Sequence, residues 1–478
     1  MTNPHLRYEN PLADRYASAR MAALFSPHTR IRTWRLLWVA LAEAERSLGL
    51  PISLRQIKDL RAHLDDINFD AARAIEREVR HDVMAHIRAY GLQAPSAAGI
   101  IHLGATSCYV TDNADLLIYR DALRLVRDRV ADVIRALAAF AHRERTRPAL
   151  GYTHLQPAQL TTVGKRACLW LQDFHRDAET IDFVLAHLRF LGVKGATGTQ
   201  ASFLDLFKGD DRKVKKLDQI VTRHFGFAQA FTVCGQTYPR KLDAEIMSAL
   251  VGVALSVSKM TNDIRFLQSM GEIEEPFGTK QIGSSAMAYK RNPMRSERAD
   301  SLARFVISLS SSPQITAATQ FLERTLDDSA NRRLVMPEAF LATDAILILA
   351  RDIAAGLVVY PAMIGRRVEQ ALPFLVTETI LMMAVEAGGS RQTVHERIRV
   401  HAMAATQKVR EGGTNDLLER IAGDAAIGLD LRKLRATMKP ARFVGCAPRQ
   451  VAEYLATEVR PLLRRRRYFP ADNAGITC

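Results

Sequence analysis

Three short polar islands interrupt a sequence otherwise rich in aliphatic, helix-forming residues, and each carries side chains able to move a proton or grip an anion. The first in chemical interest, "GSSAMAYKRNP" at residues 283–293, puts Ser284 and Ser285 a few positions before Lys290 and Asn292. Gly283 lets such a loop open and close, the serines present hydroxyls and backbone N–H donors, and Lys290 with Asn292 can hold a carboxylate. A surface linker explains the glycine and serines but not the coupled K-x-N-P. In "HLGATSCYVTDN", residues 102–113, Thr106 and Ser107 stand just ahead of a long helix, as caps or as ligand contacts. In "GYTHLQPAQLTTVGK", residues 151–165, Thr153 and His154 sit in a loop closed by Pro157. A histidine there is either a structural or surface residue or a proton donor aimed into a cleft between helices.

Long helices must position these islands. Leu123, Val126, Val130, Val133, Leu137 and Phe140 follow a 3-4-3-4-3 spacing, one continuous apolar seam. Asp112 reads as its N-cap and Pro148 as its stop. The spacing returns at Leu171, Phe174, Ala178, Ile181, Leu185 and Leu188, and again at Ile246, Leu250, Val253, Val257, Met260, Ile264 and Leu267. A fourth helix begins in "MRSERADSLARFV", and a fifth runs from Pro337, a good first helical residue, to Gly356, a good stop. β-Branched alternation is nearly absent, so the expectation is an all-α fold with few or no sheets. Helices of about 25 to 30 residues span about 40 Å. That exceeds what one chain needs and points to a homo-oligomeric bundle. The texture changes near residues 106 and 360, which divides the chain into 1–106, an N-terminal helical domain; 107–359, a central long-helix domain with the serine loop; and 360–478, a small C-terminal helical domain.

Composition narrows the function further. The 478 residues, 48% hydrophobic, bury a large core in two or three domains. The start "MTNPHLRYENPLADRY" has no apolar leader, and the longest aliphatic run, "ALVGVAL", is short of a membrane span, so a soluble cytoplasmic protein is expected. Five scattered cysteines with no C-x-x-C pair argue against a disulfide framework and a zinc site. Lys and Arg outnumber Asp and Glu by 66 to 51, a net charge of +15, which calls for an anionic partner. The only dense basic block is "LLRRRRYF", with no aromatic-interleaved stripe beside it, so the anion is read as a small molecule rather than nucleic acid, and Arg464 to Arg467 as a solvated tail.

Taken together, "GSSAMAYKRNP" resembles the S-S-x-M-P-x-K-x-N signature of the fumarase/aspartase superfamily, and the three islands resemble its three separated motif regions in the same order. With "RHDVMAH", "GVKGATGTQASF" and "ERTLDDSANRR", the resemblance narrows to the adenylosuccinate lyase family in its animal-like form and covers nearly the whole chain, from "PLADRY" to "AGGSRQ". It implies a three-domain all-α fold whose long helices form the core of a homotetramer, with active sites shared between three subunits. It also implies β-elimination of fumarate from adenylosuccinate and from succinylaminoimidazole-carboxamide ribotide, without metal or organic cofactor, and neither nucleic acid nor membrane as partner.

By the same resemblance Ser284 is the general base and His154 the general acid, with His81 a rival for an acid/base part. Arg80, His81, Asp82, Thr106, Ser107, Thr153, Gln236, Lys290 and Asn292 match substrate contacts. Arg15, Tyr16, Arg298, Arg324, Ser329 and Arg333 match positions that hold the nucleotide and its phosphate, a task suited to the guanidinium fork. Two departures stand out: Ala288 replaces the signature proline, and Pro239 in "GQTYPRK" replaces a hydroxyl residue. The rival readings are another lyase of the superfamily, such as one acting on argininosuccinate, or a silent helical scaffold. A phosphate-binding arginine pair opposes the first, and intact Ser284, His154, Lys290 and Asn292 oppose the second.

Overall fold

A computed structural model describes residue 6 and residues 8–465; Cys478 and the last two arginines of the basic block, Arg466 and Arg467, lie outside the described residues. Near the start come α1 (Pro27–Ser47), α2 (Phe69–Val79) and α3 (Asp82–Gln93). The long elements follow: α4 (Ser107–Arg143), α5 (Val163–His187), α6 (Lys241–Ser269), α7 (Met294–Ser308) and α8 (Asp327–Gly356). Beyond residue 360 lie α9 (Pro361–Leu375), α10 (Thr377–Glu386), α11 (Arg391–Arg410) and shorter helices.

The three seams account for the packing. Leu123, Val126, Val130, Val133 and Leu137 are wholly buried on α4, as are Leu171, Phe174, Ala178 and Ile181 on α5 and Ile246, Leu250, Val253, Val257, Met260 and Ile264 on α6. α4 packs against α5, α8 and α1, while α6 packs against α5, α7 and α8, so one apolar core runs the length of the bundle. Each leucine or isoleucine taken out of water there contributes about 1.5–3 kcal/mol before entropy is counted. By length and composition α6 is apolar enough to cross a membrane, and so is the bent pair α9 and α10 taken together; more than half of the α6 window is packed inside the protein.

The structure corrects three expectations. Asp112 is not the N-cap of α4: the helix starts at Ser107 with Thr106 at the cap position, and Asp112 lies buried within it. Pro337 does not start the fifth helix, because α8 begins ten residues earlier and carries the proline inside. The lost N–H leaves the Arg333 carbonyl without its usual helical donor, a local loss that a 30-residue helix packed along its length tolerates.

Thirdly, the stretch around His154 is not an open loop: it lies in one of two small two-stranded sheets, the little sheet that the described residues of this mostly helical chain form. Strands β1 (Pro148–Thr153) and β2 (Gln156–Thr162) make an antiparallel hairpin with Thr153 opposite Gln156, so the presumed loop around His154 is a two-residue turn, His154-Leu155. Both turn residues have positive φ, 53° and 57°. That is the type I′ geometry usually filled by Asn-Gly. A second pair, β3 (Ile273–Glu274) with β4 (Val358–Val359), ties the exit of α6 to the end of α8.

Candidate active site

A cavity of about 600 Å³ opens where the start of α4 meets α1, the α2–α3 junction and the start of α8. Arg80, His81, Asp82, Ser107, Gln236, Arg324, Ser329 and Arg333, eight residues from segments far apart in sequence, line it. Local folding explains several placements. Arg80 ends α2 in the left-handed conformation, φ 54°, and so turns the chain directly into α3, whose N-cap is His81. Non-glycine residues held there carry on the order of 1–2 kcal/mol of strain and persist where the surroundings fix them. Ser107 opens α4 with its hydroxyl 3.5 Å from His81 Nε2. Thr106 makes no side-chain cap bond, so no hydroxyl answers the positive end of this helix's dipole.

The arginines are held by carboxylates. Arg333 donates from Nη2 to Asp82 Oδ2 at 2.6 Å, and Arg324 from Nη1 to Asp328 Oδ1 at 2.7 Å. Burial alone would raise the Asp82 pKa, but the Arg333 bond and charge bring it below the usual carboxylate value. Beneath the cavity lies a buried ionic floor that sequence reading missed. Arg240 bridges Asp112 on α4 and Asp328 on α8. Arg332 joins Asp243, Asp115 and the Tyr238 hydroxyl. Burial pushes Asp115 up to about 6 even beside Arg332. The signal available in sequence was the density of Asp and Arg inside apolar seams, where charges are rarely buried unless paired.

Gln236 is fixed from three sides. Its amide Nε2 donates to Ala196 O at 3.2 Å, its Oε1 accepts from Cys108 Sγ at 3.4 Å, and its backbone N–H donates to Glu323 O at 3.0 Å. The Gly/Thr segment that carries Ala196 is itself clamped. Asn113 of α4 exchanges two hydrogen bonds with Gly192, and Asp218 accepts from Val193 N and Lys194 Nζ. Pro239, the second departure, accepts from Leu242 N through its carbonyl and lies outside the cavity lining.

The other candidate residues are not brought to this cavity. His154 and Thr153 are exposed at the tip of the hairpin. Arg15 is exposed with its guanidinium 5.8 Å over the ring of half-buried Tyr16, on a turn (Leu12–Tyr16) packed against α8. Arg298 is half-buried on α7. Ser284 lines a separate open cavity of about 680 Å³ made largely by its own loop.

That loop has a pinned base and an exposed tip. Buried Glu275 accepts from Arg295 N, Ser296 N and Ser296 Oγ, Gln268 Nε2 donates to Arg291 O, and Asn292 Nδ2 donates to Gly283 O at 2.8 Å. Asn292 therefore closes the loop upon itself, a role not expected of it. Between these ties Ile282, Met287, Tyr289 and Lys290 are exposed. Ser284 Oγ accepts from the N–H groups of Ala286, 3.3 Å, and Met287, 3.1 Å. Two such donors aimed at one hydroxyl oxygen favour its deprotonated form.

A family profile described as "Lyase" matches residues 52–308, and one described as "Adenylosuccinate lyase C-terminus" matches residues 373–454. The adenylosuccinate lyase of Saccharomyces cerevisiae is 49% identical over 462 residues, covering 96% of each chain, and that of Schistosoma mansoni 47% identical over 473 residues, 98% of each. Among solved structures, a fumarate lyase from Mesorhizobium sp. BNC1 superposes with a TM-score of 0.79 at 25% identity, over 94% of this chain and 100% of that one. A 3-carboxy-cis,cis-muconate lactonizing enzyme from Pseudomonas putida reaches 0.82 at 23% identity, over 95% and 100%, and speaks for the fold alone.

Proposed function

The chain belongs to the adenylosuccinate lyase family, and from that premise we propose how its residues divide the work of splitting adenylosuccinate into AMP and fumarate within purine nucleotide biosynthesis. Succinylaminoimidazole-carboxamide ribotide, the same succinyl-amine linkage on another phosphorylated ribose, is the second substrate. Elimination needs a base for the proton beside one succinyl carboxylate, donors for the charge that collects there, and an acid for the departing nitrogen. Ser284 is the base: the N–H groups of Ala286 and Met287 already point at its oxygen, and closure over a polyanion adds Lys290 and removes water. His154 is the acid. Arg15, Tyr16, Arg298, Arg324, Ser329 and Arg333 hold the nucleotide phosphate, while Arg80, His81, Asp82, Thr106, Ser107, Thr153, Gln236, Lys290 and Asn292 position the rest.

One observation carries the shared-site part of the proposal: a single chain's cavity holds eight of these residues but neither Ser284 nor His154. The complete pocket is then built from neighbouring copies in a homotetramer. Exposed apolar residues along the long helices, Leu169 and Phe183 on α5 and Leu255 on α6, supply a contact face. The three-domain division near residues 106 and 360 and a cytoplasmic location belong to the same proposal.

The test is fumarate release from adenylosuccinate by the purified protein, followed by two variants. Ser284→Ala and His154→Ala should each lose turnover while the oligomer persists, and mixing the two after mild dissociation should restore part of it. A complementing mixture requires sites built from different chains. Recovery absent in a re-formed oligomer would refute the sharing, and turnover of argininosuccinate instead would replace the substrate.

A further inference from the structure

Two residues on the inner wall of the cavity each keep a buried N–H with no partner. Arg30 and Trp34, one turn apart on α1, both line it. Arg30 Nε and Trp34 Nε1 are buried and unbonded, although Trp34 itself is only 2% exposed. The Arg30 guanidinium lies over the Trp34 ring, 5.8 Å from its centroid. Among the described residues Arg30 makes no ion pair, whereas its neighbours Arg324 and Arg333 are each matched to an aspartate. Its basicity is lowered first by burial and then by the positive charge of Arg333. Asp115, Asp82 and Glu76 act in the opposite direction from a distance, but none of them pairs with this half-buried guanidinium, so an anion entering between Arg30 and Arg333 would be favoured.

Resting on the adenylosuccinate reading, we infer that Arg30, its guanidinium held over the Trp34 ring, is a further substrate-positioning residue that takes a phosphate oxygen of the nucleotide together with Arg333. The phosphate is favoured over a succinyl carboxylate because Arg324, Ser329 and Arg333, all on or beside the first turns of α8, line the same cavity. The proton-transferring residues Ser284 and His154 do not line it. A phosphate monoester also offers three acceptor oxygens, enough to engage these donors without giving up Ser329.

The experiment is calorimetric binding of AMP and of fumarate to the full-length protein and to Arg30→Met and Arg30→Lys, with steady-state kinetics alongside. Arg30→Met should weaken AMP binding about ten- to hundredfold, the loss expected for one charge-assisted hydrogen bond. It should leave fumarate binding within about twofold, and raise KM for adenylosuccinate more than it lowers kcat. Arg30→Lys, which keeps the charge, should recover most of the AMP affinity. Unchanged AMP binding in Arg30→Met, or equal loss of AMP and fumarate in both variants as a structural defect would give, overturns the inference. Loss confined to fumarate overturns the phosphate assignment. Absence of wild-type fumarate release is a separate result, seen before any variant is made, and it counts against the activity and not against Arg30.

Discussion

Arg240 donates to both oxygens of Asp112, at 2.9 and 3.2 Å, across 128 positions of sequence, and through Nε it donates to Asp328 at 2.6 Å. All three side chains are almost fully buried. This pair fixes the first turns of α4 against the first turns of α8, the two helix starts that carry Ser107 on one side and Ser329 and Arg333 on the other. Burial opposes the guanidinium's charge, and Asp112 with its other partners, Tyr238 and Asp243 among them, more than offsets it, so Arg240 stays charged. Asp328 also accepts from Arg324, so the ionic floor and the proposed phosphate site share a residue.

Removing one member of such a network leaves the others charged, buried and unmatched. Arg240→Ala should therefore destabilise the protein by about 3–5 kcal/mol. Arg240→Lys, which keeps the charge but loses the fork, should destabilise it less. Urea midpoints of the two variants against wild type check this. Equal midpoints for all three would mean that the floor contributes nothing to holding α4 against α8.

A different buried group sets a pH dependence. Glu45 on α1 is wholly buried with neither carboxyl oxygen hydrogen-bonded, and burial raises its pKa from 4.5 to about 8. Between those values the folded state keeps a proton that the unfolded chain has released, so the contribution of this group to stability is full below pH 4.5 and is lost as pH rises towards 8. The slope from this group is at most about 1.4 kcal/mol per pH unit. Glu45→Gln removes it. Asp115 and Asp177, raised to about 6 and about 7, act in the same direction in both proteins, so the difference between them isolates Glu45. The variant should gain on wild type between pH 6 and pH 8 in denaturant titrations; a constant gap would show that Glu45 is not the proton carrier.

Glycine 198 makes a third case. Its φ is +80°, and a Cβ built there would meet the carbonyl oxygen of Cys234 at 1.9 Å. Cys234 lies two residues before Gln236, whose amide donates to Ala196 on the same segment. Gly198→Ala must move backbone, and the segment then carries Gln236 away from the cavity. Since misplacement of about 1 Å costs on the order of a hundredfold in rate, kcat/KM for adenylosuccinate should fall about 10- to 100-fold while the oligomer survives. Wild-type kcat/KM in this variant would mean that the segment does not position Gln236.

What could be read from sequence, and what could not, follows from the range of each interaction. The seams at Leu123, Leu171 and Ile246 were legible because burial repeats every helical turn and nothing distant is needed to see it. Asp112 was misread because an aspartate near a helix start signals a cap locally, while its partner Arg240 is remote. Pro337 was misread for the same reason, since the preference of proline for the first turn is local and the packing that absorbs it is not. The hairpin stayed hidden because Pro148, Gly151 and Pro157 disguise its strands and His154-Leu155 lacks the usual turn residues. Contiguous motifs exposed Arg80, Ser107, Gln236 and Arg333; Arg240, in the same stretch as Gln236, and Arg30, among the arginines of α1, are told from surface arginines only by partners or a cavity remote in sequence.

The serine loop allows a last prediction, at the position where this chain departs from its family's signature. Lys290 N donates to Met287 O at 3.0 Å, which closes a four-residue turn with Ala288 as its second residue. That is where proline is favoured, because its fixed φ suits the turn. Ala288 is exposed. Ala288→Pro should therefore be accommodated and stabilise the turn by about 0.4–1 kcal/mol, through the conformational entropy removed from the open chain. The closed geometry over the substrate is then reached from fewer loop conformers, so KM for adenylosuccinate should drop or hold while kcat changes by no more than a few-fold. Protease cleavage within residues 284–290 should slow in parallel. A variant that loses activity a hundredfold, or is cut faster there than wild type, would show that Ala288 has a backbone conformation proline cannot take and that the loop of this chain closes differently from the signature form.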